Sequence, residues 1–373
     1  MLKNKKVTIE TITECLYLLA IFIYSIGRVF RSSLIIDFSS NTTRTIYLIT
    51  IILCLPKILI SRYSKKELLI SVLIVLTGII AFLFFPRKRD LLAIPIVLIG
   101  VKNSDIKTIV RIVFVTCMFF VILHTSAYFI DHFMKGGTIF NIPFFDRSET
   151  RSTVLCKYYN DYGAITSMTT MQYLYLTNRD KDRYLKFWLL LLISFFIYAI
   201  GTSRTSFIIS VFVLLYLPLE TNRLFKSKLH ISKIITFIVV VVLSFSFFHV
   251  DLDNSMVIIA NKLLTGRIHI SQYGYEALGL SLLPQVDKIA SNTLGFDLFV
   301  VYMVLSYGLL ITGAILCLTA YLCVFKKQDS YIDYLTIILF IWALSGRFNY
   351  YVTLTIVPMI VMNHYYRKQN QGV

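Results

Sequence analysis

Long apolar blocks alternate with short polar breaks along nearly the whole chain. A bilayer-spanning helix needs about 20 predominantly apolar residues. The blocks Glu14–Phe30, Arg44–Ile60, Leu68–Phe85, Leu91–Val101, Ile109–Ile130, Leu155–Leu176, Leu185–Ile200, Thr205–Leu219, Ile231–His249, Gly295–Phe325, Tyr331–Ser345 and Tyr350–Tyr366 predict about twelve such helices. Leu91–Val101 is the shortest and reads either as a thin crossing or as a re-entrant segment. The expected fold is an all-α, polytopic transmembrane bundle. No polar linker divides it, so residues 1–373 read as one integral membrane domain with two long external loops, 131–154 and 250–294. Within the second loop, Ser255–Leu264 is apolar enough to lie on the membrane surface, and Gly266–Leu282 fits a second amphipathic helix. No internal repeat is visible, and no interruption of a spanning helix is legible.

Composition agrees with the bilayer reading. Hydrophobic residues make up 57% of the chain, charged residues only 15%, and the mean hydropathy is +0.73. A soluble domain carries about a quarter charged residues. The formal charge is +17, with 37 Lys and Arg against 20 Asp and Glu. In a soluble protein that excess would point to nucleic acid. The basic residues instead cluster in alternate loops: Lys65 and Lys66, Lys102 and Lys107, Arg179, Lys181 and Arg183, Arg223 to Lys233, Lys326 and Lys327, and the tail at Arg367 and Lys368. That is the positive-inside signature, with both termini cytoplasmic. Arg87-Lys88-Arg89 falls on the outer side and violates it. If Leu91–Val101 failed to cross, every later basic loop would face out, so the crossing is kept.

The six cysteines lie in or beside apolar blocks, with no CxxC pair and no histidine at ligand spacing, so neither disulfides nor zinc are expected. The basic start, Met1 to Lys6, precedes an apolar stretch without a small-residue cleavage site and reads as an uncleaved first helix. Phosphate loops, HExxH and nucleophile elbows are all missing from the sequence. His124 and His249 lie at helix ends and read as packed or interfacial residues.

Arginines on the outer side run against the topological grain. Arg204 follows Gly201-Thr202-Ser203 in a short turn, Arg267 follows Thr265-Gly266, and Arg347 follows Ser345-Gly346. An arginine costs about 2.5–3.5 kcal/mol at a membrane helix centre, so one near the boundary snorkels to headgroups or grips an anion. A guanidinium fork suits a pyrophosphate.

Gly201-Thr202-Ser203-Arg204-Thr205-Ser206 resembles the Ser-Arg-Thr/Gly signature of the O-antigen polymerase and ligase superfamily. Thr265-Gly266-Arg267 is similar to that family's Gly-Arg motif in its large outer loop. Asp297, followed by an apolar helix reaching Tyr307-Gly308, resembles the polymerase pattern of an Asp, usually followed by Asn, although Leu298 stands at the Asn position. Arg151–Gly163, with Tyr159-Asn160-Asp161-Tyr162-Gly163, resembles the family's Pro-Asn-x-x-Gly segment, with Tyr159 in place of Pro. The resemblance covers about Arg151 to Leu309.

It implies a metal- and cofactor-independent glycosyltransferase of a bacterial inner membrane. Such an enzyme joins undecaprenyl-pyrophosphate-linked oligosaccharides into a surface polysaccharide. Implied partners are the lipid-linked donor and acceptor, the bilayer, a flippase and a chain-length regulator, with no nucleic acid. The expected catalytic set is Asp297, Arg204 and Arg267. Arg347, Arg151, Asn160, Tyr273 and Glu276 are expected to bind substrate, with Tyr275 and Tyr302 as further aromatic surfaces. Asp297 reads either as the base for the acceptor hydroxyl or as a helix N-cap, with Glu276 and Asp287 as fallback bases. Two other functions stay open. A ligase of the same family would be expected to carry His at or near position 297. A lipid-linked-oligosaccharide flippase would be expected to show repeated halves and broken helices.

Overall fold

Each apolar block contains a helix, and many of the polar breaks between blocks are caps. The computed structural model describes residues 8–36, 38–85, 90–135, 154–156, 159–177, 182–201, 203–264, 266–285, 298–344 and 356–370. Its helices are α1 (Ile9–Phe30), α2 (Ser40–Ile60), α3 (Lys65–Phe84), α4 (Asp90–Gly100), α5 (Ile106–Lys135), α6 (Tyr159–Thr177), α7 (Arg183–Gly201), α8 (Arg204–Leu214), α9 (Tyr216–Leu219), α10 (Arg223–Ser246), α11 (Ser255–Leu263), α12 (Arg267–Leu278), α13 (Phe299–Thr319), α14 (Ser330–Ala343) and α15 (Val357–Asn370). Thr8, Ser39, Asn222 and Asn254 start α1, α2, α10 and α11 by accepting from backbone N–H groups of the first turn. Ser64 and Glu67 form a reciprocal capping box on α3. Before α5, the Asp105 carboxylate accepts from the Thr108 hydroxyl and the Lys107 N–H. Those bonds, the Thr108 one first, hold its pKa below the usual carboxylate range.

Among the described residues, seven helices are long and apolar enough to cross a membrane: Ile9–Phe30, Ser40–Ile60, Lys65–Phe84, Ile106–Met134, Tyr184–Gly201, Arg223–Ser246 and Phe299–Val324. Asp90–Gly100, Arg204–Leu219 and Ser330–Ala343 are apolar but shorter. The protein is therefore an all-α, multi-pass membrane protein. The α6 segment is a helix of another kind. It carries Asp161, Thr166, Ser167, Thr169, Thr170 and Gln172, all buried.

Contacts divide the chain into two units. The first comprises Met1–Val75, Arg89–Leu217 and Thr353–Val373. In it α1 packs on α2 and α5, α4 on α2, α6 on α5, α7 and α8, and α15 on α4 and α5. Charged side chains latch α4 at both ends. At its start, Asp90 pairs with Arg28 at the end of α1, 3.1 Å away. Beyond its end, Lys102 pairs with Glu67 at the start of α3, at 2.6 Å with both side chains buried. The Lys102 ammonium also lies over the rings of Tyr63 and Tyr366. Next to it, Ser104 and Lys57 bond to Glu14 at the start of α1, and Asn363 of α15 donates to the carbonyls of Val101 and Ser104. Helix α4 therefore runs antiparallel to α1, with its one charge at its start and Lys102 just past its end.

The second unit comprises Leu76–Lys88 and Pro218–Val352. Its core joins Val240, Phe247 and Phe248 at the end of α10 with Ile268 and Leu278 of α12 and with Leu298, Val301 and Leu305 around the start of α13. Near the middle of α10, Lys233 is buried against Asp333 of α14 and donates to the carbonyl of Lys326.

One expectation is corrected in this unit. Helix α13 is not continuous, because Gly308 takes φ 76° and ψ 170° in its middle. The segment after α12 fills the break: Leu309 and Leu310 donate to the carbonyls of Ser281 and Leu282. A β-carbon at position 308 would stand 2.7 Å from the Leu282 oxygen, so only glycine fits. The apolar pattern hides this break because a glycine inside an apolar run is compatible with an unbroken helix.

Candidate functional site

The turn between α7 and α8 and the N-terminal turn of α6, some 40 residues apart in sequence, meet in the first unit. Ser203 and Ser206 approach Gly163 so closely that a β-carbon there would lie 2.8 Å from the β-carbons of both serines. Ser167 of α6 donates to the Ser206 carbonyl at 2.8 Å and bonds to the Ser210 hydroxyl. Gly201 lies against Tyr162 and Val154. Small residues let these helices touch backbone to backbone, as membrane helices do where hydroxyls bridge them. Val154 and Leu155, just before α6, both take positive φ, 47° and 56°, which is strained for a β-branched residue such as Val154 and for a bulky one such as Leu155. Leu155 is held there by its carbonyl, which accepts from the Leu34 N–H. The cleft that α6, α7 and α8 enclose, lined by Thr166, Ser194, Tyr198 and Ser210 among others, has an internal volume of about 10 Å³, enough for about one water.

Arg204 and Arg267 share a local design. Arg204 is the first residue of α8, behind the N-cap Ser203. Arg267 is the first residue of α12, behind Gly266 in the left-handed conformation at φ 84°. The Ser203 side chain caps no backbone N–H of α8, its hydroxyl donating to that of Ser206 instead, and at α12 the Asn261 amide oxygen accepts from the Ile268 and His269 N–H groups. The positive end of a helix and a guanidinium at the same place repel each other and both favour an anion. Arg204 is half-buried and Arg267 is buried. The two stand in different units, so each contributes within its own.

Along α12, His269, Tyr273 and Glu276 are all exposed and recur at helical spacing on one face. Sequence reasoning found Tyr273 and Glu276 and missed His269. Spacing alone would have revealed it. Tyr275 turns the other way, stacking on Phe248 at 5.1 Å and meeting His249 edge-on, so it is a packing residue. Tyr302 packs edge-on with Tyr307, which in turn packs on Phe85. His124 is buried and bonds to the Ser33 hydroxyl and the Phe120 carbonyl, as expected of a packed residue.

Asp297, Arg347, Arg151 and Asp287 lie outside the described residues, as does Arg87-Lys88-Arg89. Asn160 falls in the first turn of α6, with its side chain outside the description. The N-cap of α13 is Leu298, whose side chain makes no capping bond. Among the described residues no group of three or more His, Cys, Asp and Glu is arranged to hold a metal ion. Compared with known protein families, with curated proteins and with solved structures, the chain matches none.

Proposed function

We propose that the protein is a membrane-embedded glycosyltransferase. It lengthens a polysaccharide by joining polyprenyl-pyrophosphate-linked oligosaccharides at the outer face of a bacterial inner membrane. The observation that carries this reading is the placement of Arg204 at the first residue of α8, whose N-cap Ser203 gives no side-chain bond to a backbone N–H; Arg267 likewise opens α12, within its own unit. A guanidinium at a helix N-terminus suits a phosphate of a lipid carrier. The packing of Tyr159–Gly163 against Gly201–Ser206 adds support, because both segments carry the sequence resemblance.

In the proposed reaction an acceptor hydroxyl attacks the anomeric carbon of the donor sugar. The bond from that carbon to the pyrophosphate oxygen breaks, and the hydroxyl proton passes to a carboxylate. Arg204 and Arg267 stabilise the charge that develops on the departing pyrophosphate, an electrostatic contribution that commonly dominates such sites. Asp297 is the proposed base, with Glu276 as its alternative. The stripe of Tyr273 and Glu276 on α12, with His269 beside them, offers an aromatic and polar face to sugars. Arg347, Arg151 and Asn160 are proposed to complete the substrate contacts.

A flippase is the second reading, and the break at Gly308 favours it, because transporters bind substrates at discontinuous helices near the bilayer midplane. The position of the break argues the other way. Gly308 lies roughly eighteen residues, or about 27 Å, from Lys326 at the far end of the span, nearly the whole hydrocarbon thickness. The test is purified protein in vesicles given its lipid-linked repeat unit. The expected product is a ladder of lengthened chains. Relocation of the unit across the bilayer without lengthening would overturn the polymerase reading.

A further inference from the structure

The segment Gly279–Gln285, Gly-Leu-Ser-Leu-Leu-Pro-Gln, has no charged residue, yet it follows α12 in what the sequence presents as an external loop. It does not fold back on itself alone. The carbonyls of Ser281 and Leu282 accept from the N–H groups of Leu309 and Leu310, at 2.9 and 3.2 Å, across the break in α13. Within the segment, Gln285 donates to the Gly279 carbonyl and the Leu283 N–H donates to the Ser281 hydroxyl. With those four backbone groups engaged, the segment turns its apolar side chains outward: Leu280 is 43% exposed, Leu282 63% and Leu283 52%. Leu310 of α13, next to this strap, is 59% exposed.

Helix α13 belongs to a span long and apolar enough to cross the bilayer, so its exposed Leu310 faces lipid, and the strap's leucines continue that surface. Depth follows from the same helix. Counting about 1.5 Å per residue back from Lys326 puts Gly308 about 27 Å away, just inside the opposite edge of a hydrocarbon layer about 30 Å thick. Open backbone survives among lipid chains only where its polar groups find partners, and the break supplies two of the N–H groups that do this.

We infer that Gly279–Gln285 is a re-entrant strap that enters the hydrocarbon edge of the leaflet opposite Lys326 and seats Leu280, Leu282 and Leu283 among the lipid chains. The occupant of this surface is the bilayer hydrocarbon, and the inference does not depend on which reaction the protein performs.

The test uses the full-length protein with Trp188→Phe and Trp342→Phe, carrying Leu282→Trp as its single indole. It is reconstituted in phosphatidylcholine vesicles with plain or acyl-brominated chains. Asp253→Trp in the same background reports an exposed turn of the same unit, and Leu283→Trp replaces Leu282→Trp if that variant does not fold. The strap predicts loss of most emission in brominated vesicles for Leu282→Trp or Leu283→Trp, with little loss to aqueous iodide. Asp253→Trp should show the reverse. Quenching of the strap indole by iodide, or bromolipid quenching no greater than at position 253, overturns the inference.

Discussion

Glu67 shows how much one buried side chain can organise. Its Oε2 accepts both from the Ser64 N–H and from the Lys102 ammonium at 2.6 Å, and neither charged side chain is exposed. Removing one member of such a pair leaves a buried charge alone and typically costs about 3–5 kcal/mol, whereas replacing both with apolar residues is often close to neutral. Lys102→Met should therefore lower the melting temperature sharply in detergent, and Glu67→Leu with Lys102→Met should recover most of the loss. Asp105 is a milder case. Its depressed pKa means that its contribution to folding is present above the ordinary carboxylate pKa and fades as pH falls through the lower, folded value. Asp105→Asn should lose a little stability at neutral pH and flatten the acid limb of a stability-versus-pH curve, so that variant and parent converge as pH falls. For the proposed chemistry, loss of a general base costs typically 10²–10⁴-fold in rate. Asp297→Asn should accordingly abolish the product ladder while leaving the protein folded. Arg204→Lys and Arg267→Lys should rescue poorly, since an ammonium lacks the planar fork. Normal ladders from Asp297→Asn would move the base to Glu276, and normal ladders from both arginine-to-alanine variants would end the pyrophosphate proposal.

Elements were legible to different degrees, for physical reasons. Apolar blocks near bilayer length marked the helices well, because lipid imposes one requirement on the whole segment. Ends drifted by several residues where caps decided them: Asn222 starts α10 at Arg223, well before the apolar block opens at Ile231. Pairings such as Ser167 with Ser206 and Ser210, or Lys102 with Glu67, could not be read because they join distant parts of the chain. The break in α13 was equally hidden. Its cause is a carbonyl arriving from another segment, and nothing in Leu305 to Leu310 announces that arrival. Two glycines now carry element-scale predictions. Gly163→Ala would press a β-carbon against those of Ser203 and Ser206, and overpacking of this kind costs typically about 1–3 kcal/mol. Thermal unfolding should register that loss. Gly308→Ala meets both positive φ and the Leu282 carbonyl, so it should release the strap. Limited proteolysis would then cut within Gly279–Gln285 in the variant and not in the parent.

At the scale of the molecule the question is which side each loop faces. The first unit answers part of it internally. Glu14 at the start of α1, Lys57 at the end of α2, Glu67 at the start of α3, Lys102 and Ser104 after α4, and Asn363 and Tyr366 near the end of α15 are joined there by ion pairs, hydrogen bonds and a cation over a ring. Arg28 and Asp90 pair at the opposite ends of α1 and α4. A segment that failed to return across would leave Lys102 far from Glu67. Leu91–Val101, the shortest predicted span, thus behaves as a helix antiparallel to α1, the return that the proposed topology requires if the later basic loops are to lie on the side of the N-terminus. The prediction is a two-sided labelling pattern in a cysteine-free background. Ser64→Cys, Asn103→Cys and Asp182→Cys should react with an impermeant maleimide only after the cells are opened. Asp253→Cys should react in intact cells. Positions 64 and 103 must also behave alike, since Glu67 and Lys102 bring the two turns together. Labelling of Asn103→Cys from outside with Ser64→Cys protected would separate what the ion pair joins, and the topology would then have to be inverted from α4 onward.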